Sequence, residues 1–371
     1  MIKKNIHIVS VEPQTKRFYE RYCIDDLIHY GYNVIFLDLS KLFNRYNPLA
    51  GKENKSIYID SYENFELYFN YNNSKEDFVF WYLGGVNKST IIFYNFFIKN
   101  NIKLFYFDDG RLPFGFLSFN FFISRIFERF IHLFFKLKSI LLNRVIAKFN
   151  LVFYSGKMSK YFVKSNFNAK FYRPFNNTDY NKFLTVKDNG INTDQYILFL
   201  DQNIPDHPDI LNLNICFNRD NYYKELNLFF DFVEKKTKNK IVVALHPTSD
   251  LKNHNFNNRK VVNDIVSNIN NCHSFITFYS TALNYAIITH KPLLLLTSNE
   301  VSKHCKLGTK QAFFTSKFIN QKIISISKNY HNEVLFKDVN KTKYNNYKQN
   351  FIVSSEGKHN SELILNGLNE L

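Results

Sequence analysis

Residues 103–114 read KLFYFDDGRLPF, a buried-strand run that passes straight into two adjacent carboxylates and a glycine. A plain turn accounts for Asp108-Asp109-Gly110, since Asp-Gly is a common way to leave a strand. A carboxylate held at the rim of a sheet as acid or base accounts for it too. The choice rests on what else in the chain could face it.

Outward from this point the first half alternates strand-like and helical runs. These are IHIVS, a helical stretch at 18–30, NVIFLDL, then FVFWYLGG, IIFYNFFIK, KLFYF and LVFYS. Short apolar strands separated by helical patterns predict a parallel α/β sheet. The polar, Asn-rich stretch 176–195 reads as a linker, after which the pattern restarts. YILFLDQN is followed by a helix near 222–235, then KIVVALHP, SFITFYST, PLLLLTS and KIISIS. The expected organisation is an N-terminal Rossmann-like domain over 1–185, a C-terminal one over 190–355, and a closing helix in 356–371 that packs back on the first domain.

Composition is consistent with this. A chain of 371 residues with 45% hydrophobic side chains can fill two cores. Cys23, Cys216, Cys272 and Cys305 are widely spaced with no CxxC pair, which argues against a zinc motif or disulfide framework and fits a reducing compartment. The opening residues lead into a short strand and not the longer apolar core of a signal peptide, so a cytoplasmic location is expected. Lys, Asn, Ile, Phe and Tyr are all over-used, as AT-rich codons would produce, so part of the net charge of +16 is compositional drift. The remainder suits phosphate-rich partners.

Residues 114–149 form a basic aromatic segment in which Arg125, Arg129, Lys136, Lys138, Arg144 and Lys148 interrupt the apolar run. No uninterrupted stretch reaches the roughly 20 apolar residues of a spanning helix. Amphipathic helices at a membrane interface and a buried hairpin with outward-reaching cations both fit.

Ligands of open α/β sheets bind beyond the carboxyl ends of the strands. Three second-half strands end in Asp201-Gln202-Asn203, His246-Pro247 and Ser280-Thr281. If these strands are parallel, the three ends share one edge. Ser280 and Thr281 can cap a helix and bind an anion, and an imidazole at a strand end can donate to a leaving phosphate. His207, in a second His-Pro pair, reads as a loop residue or secondary contact. Asp108 and Asp109 do not converge on one ion, because neighbouring strand residues point to opposite faces. There is no GxxxxGKS or GxGxxG loop and no RNP, helix-turn-helix or KH signature, so nucleotide triphosphate hydrolysis, dinucleotide binding and nucleic-acid binding find no support.

In this order, with a strand before each, the acidic-acidic-Gly, His-Pro and Ser-Thr pairs resemble the motifs of bacterial sialyltransferases and polysialyltransferases of GT-B architecture. The resemblance implies two Rossmann-like domains facing across a cleft and transfer of a nonulosonic acid from a CMP-activated donor to a glycan acceptor. It implies no cofactor and no metal. It places the base on Asp109, leaving-group assistance on His246, and the donor phosphate on Ser280 and Thr281, with Pro247 a further donor-binding residue. Gln202 and Asn203 read as a further wall of the donor site, and Asp108 and Gly110 as supports of the acidic turn. A lipid-linked lipopolysaccharide or capsule acceptor would put the enzyme on the inner face of the cytoplasmic membrane, the purpose the basic segment suggests. A CMP-Kdo transferase, a CDP-polyol phosphotransferase of teichoic-acid type and a non-catalytic basic membrane-binding protein remain alternatives.

Overall fold

A computed structural model describes the chain outside residues 1–3, 13, 44–55, 73–76, 84–85, 110–111, 114–146, 187–195, 208–209, 211–215, 247–248 and 250–254. The expectations placed on Gly110, on Pro247 and on residues 114–146 therefore lie outside the described residues. The chain divides into two compact units. The first takes the stretches ending at Asp109 and at Thr178 together with Val353–Leu371, and the second takes Asp179–Ile352.

The first unit has the strands β1 (Asn5–Ser10), β2 (Asn33–Asp38), β3 (Ser56–Tyr58), β4 (Phe78–Tyr82), β5 (Lys103–Asp108), β6 (Ala147–Tyr154) and β7 (Phe167–Pro174). All pair in parallel, in the spatial order β3-β2-β1-β4-β5-β6-β7. A parallel strand covered on both faces must be apolar on both, which is why FVFWY and KLFYF show little alternation. The faces fill with aromatic rings. Phe107 stacks on Phe153 at 4.5 Å and 10°, and Phe80 on Phe105 at 5.2 Å and 16°. The helical stretch expected at 18–30 is two helices, Lys16–Tyr22 and Ile24–His29. They break at Cys23, whose φ of 52° is left-handed.

The second unit repeats the plan with β8 (Tyr196–Leu200), β9 (Ile241–Ala244), β10 (Val261–Val262), β11 (Cys272–Thr277), β12 (Leu293–Thr297) and β13 (Lys322–Ser325). The order is β10-β9-β8-β11-β12-β13, again parallel throughout. Its longest described helix, Arg219–Thr237, starts where Asn218 accepts from Asn221 N–H at 3.0 Å and stops at Lys238 in the left-handed region. Tyr222, Leu226, Phe229, Phe230 and Val233 make the helical stripe that buries against β8 and β9. The expected fold class is the one observed: α/β, with two Rossmann-like units.

The Asn-rich stretch read as a linker is partly built structure, since it contains the helix Thr178–Phe183 and the fully buried Asn176. Asn176 ties the first unit to the returning C-terminal segment. Its Nδ2 donates to the carbonyls of Ser355 at 2.8 Å and Lys358 at 2.9 Å, and its Oδ1 accepts from Ser354 N–H and Ser355 N–H. Asn360 answers with its own amide, accepting from Asn176 N–H and donating to Asn176 O, both at 2.9 Å. The helix Asn360–Leu368 then lies on the sheet, with Gly367 against Phe153 and Leu151.

A Cβ at Gly367 would stand 2.7 Å from the Phe153 ring, which is itself stacked on Phe107. Gly367→Ala gains up to about 1 kcal/mol of helix propensity but meets an overpacking cost of roughly 1–3 kcal/mol. The expected outcome is a lower urea midpoint with an unchanged slope, and a rise in the midpoint would show that the helix shifts at little cost.

Candidate functional site

In each unit the strand order reverses once, between β1 and β4 in the first sheet and between β8 and β11 in the second. Such reversals open a crevice at the carboxyl ends of the strands, the usual ligand position in this class.

In the first unit that edge holds a cavity of about 430 Å³. Its polar lining includes Glu12 after β1, Tyr82 at the end of β4, Asn87, Asp108 at the end of β5 and Asp109 just after it. The helix Lys16–Tyr22 supplies the rest. Thr15 caps it by accepting from Phe18 N–H, and Phe18 and Tyr22, one turn apart, pack inward. That register sends Arg21 to Asp109. Arg21 Nε lies 3.3 Å from Asp109 Oδ2, and Tyr22 Oη reaches Asp109 Oδ1 at 3.5 Å. The Asp109 carboxylate makes Arg21 harder to deprotonate, outweighing the opposing effect of burial. Burial first, and Asp109 second, push the Tyr22 phenol well above its ordinary value. Asp109 therefore sits with a permanent cation on one side and a neutral hydroxyl on the other. Asp108 is buried, and its backbone carbonyl accepts from Ser155 N–H at 3.1 Å and Ser159 Oγ at 2.8 Å.

In the second unit β9, β8 and β11 are immediate neighbours, so the three motif-bearing ends do share one edge. Asp201, at the end of β8, accepts from Asn203 N–H at 3.0 Å, Ser249 Oγ at 2.9 Å and, at 3.5 Å, His246 N–H. Gln202 Oε1 accepts from Tyr279 N–H at 2.8 Å, which binds the β8 loop to the loop before Ser280. Asn203 is buried and left-handed at φ 48°. His246 is half-buried, and its ring lies 5.5 Å from that of His207. Ser280 Oγ accepts from Ala282 N–H at 3.2 Å and begins the turn Thr281–Leu283, while Thr281 is exposed. The cap uses a lone pair of Ser280 and leaves its hydroxyl hydrogen as a donor.

The structure thus brings His246, Gln202, Asn203, Ser280 and Thr281 to one edge, and Asp108 and Asp109 to the corresponding edge of the first unit. Sequence reasoning did not find Arg21, Tyr22 or Glu12. The available signal was topological, since whatever follows β1 reaches the same edge as whatever follows β5. It also passed over Asp201 as the staple between the loops after β8 and β9.

No family model matches the chain, and no curated protein matches it. Among solved structures it resembles MnaA of S. aureus in complex with UDP, with 15% identity over 98% of this chain and 95% of the other and a TM-score of 0.47. The wall teichoic acid polymerase TagF aligns at 12% identity over 99% and 89%, with a TM-score of 0.48. The UDP-GlcNAc 2-epimerase of Methanocaldococcus jannaschii aligns at 14% over 99% and 100%, with a TM-score of 0.43. Likeness at this level fixes neither ligand nor chemistry.

Burial raises the Asp201 carboxyl above its ordinary 3.8, against the hydrogen bonds from Asn203, Ser249 and His246 that pull it down. The folded state then holds this proton more tightly than the unfolded state does. The contribution to stability is complete below 3.8 and is lost as pH rises through the folded value. The stability of Asp201→Asn relative to wild type should therefore move in the variant's favour as pH rises across that window, followed by urea unfolding at stepped pH. Drift the other way would show that the hydrogen bonds outweigh burial.

Proposed function

We propose that this chain is a metal-independent glycosyltransferase that moves a nonulosonic acid, of sialic, legionaminic or pseudaminic type, from a CMP-activated donor to a surface glycan. The observation that carries the reading is the adjacency of β9, β8 and β11, which sets an imidazole and two hydroxyls on one edge of a parallel sheet. That is a donor set for a leaving phosphate. The first unit contributes a carboxylate at a cavity of sugar size, beside tyrosine rings that offer flat apolar faces.

In this reading the acceptor hydroxyl attacks the anomeric carbon and passes its proton to Asp109. Arg21 pairs with the carboxylate and aims it, and Tyr22 borders it. The bond from the anomeric carbon to the phosphate oxygen breaks, and negative charge gathers on CMP. His246 and the Ser280 and Thr281 hydroxyls meet that charge by hydrogen bonding, with His246 able to supply a proton. Asp201 and Gln202 hold the three loops in register. Work on a lipid-linked acceptor at the inner membrane face rests on the sequence of residues 114–146, since residues 147–149 of the basic segment belong to the strand β6. Among the described residues no helix is long and apolar enough to cross a membrane.

Asp109→Asn keeps the shape of the side chain and removes the base. Turnover with a CMP-sugar should fall on the order of a hundredfold or more, the scale of general-base catalysis, with CMP affinity unchanged. Replacing Ser280 and Thr281 together by Ala should weaken CMP binding by about 1–3 kcal/mol, read by calorimetry. His246→Ala should lower both turnover and CMP affinity. A donor screen across CMP-sialic, CMP-legionaminic, CMP-pseudaminic and CMP-Kdo, with a CDP-polyol beside them, separates this reading from its alternatives. Full activity of Asp109→Asn, or release of nucleotide only from the CDP-polyol, would sink it.

A further inference from the structure

Cys23, Asp26 and His359 stand together in the first unit, each with a donor atom within 4.8 Å of the others. None of the three lines the cavity at Asp109. We propose that they form a binding site for a zinc-class divalent metal, tying the returning C-terminal segment to the helix that carries Arg21 and Tyr22.

The donor chemistry is the first argument. One thiol, one imidazole and one carboxylate are a borderline-soft set, which suits Zn²⁺ and excludes the hard cations Mg²⁺ and Ca²⁺, whose sites are built from oxygen. Metal–sulfur bonds of about 2.3 Å and metal–nitrogen bonds of about 2.0–2.1 Å put tetrahedral donors about 3.5 Å apart. The three donors thus have to close by about 1 Å, within the reach of small side-chain rotations.

Placement is the second argument. Cys23 ends one helix and begins the next in a left-handed conformation that a non-glycine residue rarely adopts. The thiol is in no disulfide and is buried, whereas Asp26 and His359 are half-buried and give an ion a route from solvent. Without metal, His359 Nδ1 caps the last helix by accepting from Ser361 N–H; with Nε2 on a metal, Nδ1 carries the hydrogen and donates it to Ser361 Oγ, 2.8 Å away, as outer-sphere pairs do. Water would complete the fourth position. Binding forms the sulfur–metal bond and releases the Cys23 thiol proton to solvent, so affinity rises with pH. Because Cys23 directly follows Arg21-Tyr22, the metal would fix the helix end that presents both residues to Asp109. This role is structural and leaves the proposed transfer chemistry free of metal.

The test takes the full chain, strips it with a chelator and titrates it with Co²⁺, then competes with Zn²⁺. One equivalent should bind with a thiolate-to-cobalt charge-transfer band in the near ultraviolet, and Zn²⁺ should bleach it. Cys23→Ser should abolish the band with circular dichroism unchanged. His359→Ala should weaken Co²⁺ binding by more than the roughly 10–100-fold that outer-sphere partners are worth. Zn²⁺ should also raise the Tm of the wild-type chain but not of His359→Ala, a readout that stands if Cys23→Ser fails to fold. Absence of the band from the wild-type chain overturns the site. So does a band that survives Cys23→Ser because Cys216 or Cys305 supplies the thiolate.

Discussion

The side chain of Asn176 holds the first unit closed. A primary amide offers two donors and an acceptor oxygen with two lone pairs, and here all four are used by a segment some 180 residues away in the chain. Buried polar groups are tolerated only when so satisfied, and Asn360 completes the arrangement from the other side. Without this latch the final helix keeps its apolar face, the Arg173–Glu370 ion pair and the hydrogen bonds of Ser354 to Tyr154 and Gly156 to hold it against β6 and β7. Were it to detach, the aromatic packing around Phe153, which supports β5 and the acidic turn beyond it, would lose its cover. Each fully buried Phe in that layer stabilises the fold by about 1.5–3 kcal/mol, so the cover matters.

Parallel sheets supply the rest of the logic. Since every described strand in a unit points the same way, every strand end emerges at one edge, and a short sequence after a strand becomes a neighbour of other such sequences. Asp201 and Gln202 turn that neighbourhood into a fixed surface by joining the loops after β8, β9 and β11. In the first unit the same role falls to Arg21 and Tyr22, carried by a helix and not by a strand end.

Much of this was legible because strands buried on both faces leave uninterrupted apolar runs, as in YILFL, KIVVAL and PLLLLT. β7, FNAKFYRP, was not legible. It lies at the sheet edge, its residues are mostly half-exposed, and polar residues break its apolar run. The break at Cys23 was hidden as well, because a left-handed residue that is not glycine leaves no compositional mark. The edge residues that follow strands could be named from sequence, including Asp109, His246 and Ser280. Their partners could not, since Arg21 meets Asp109 only through the order of β1, β4 and β5, and His207 meets His246 only through two loops. Nothing in the local pattern of either residue announces its mate.

The first unit is assembled from stretches on both sides of the second in sequence. During synthesis on the ribosome, residues through Thr178 emerge well before Val353–Leu371, which carry the partners of Asn176. All the described strands of the second unit lie within Asp179–Ile352, so its sheet can complete while the first unit still waits for its last helix. The usual order, in which the amino-terminal domain matures first, is thereby inverted. Until the end segment docks, the Phe-rich face beside β6 stays uncovered, a surface that chaperones recognise in a nascent chain.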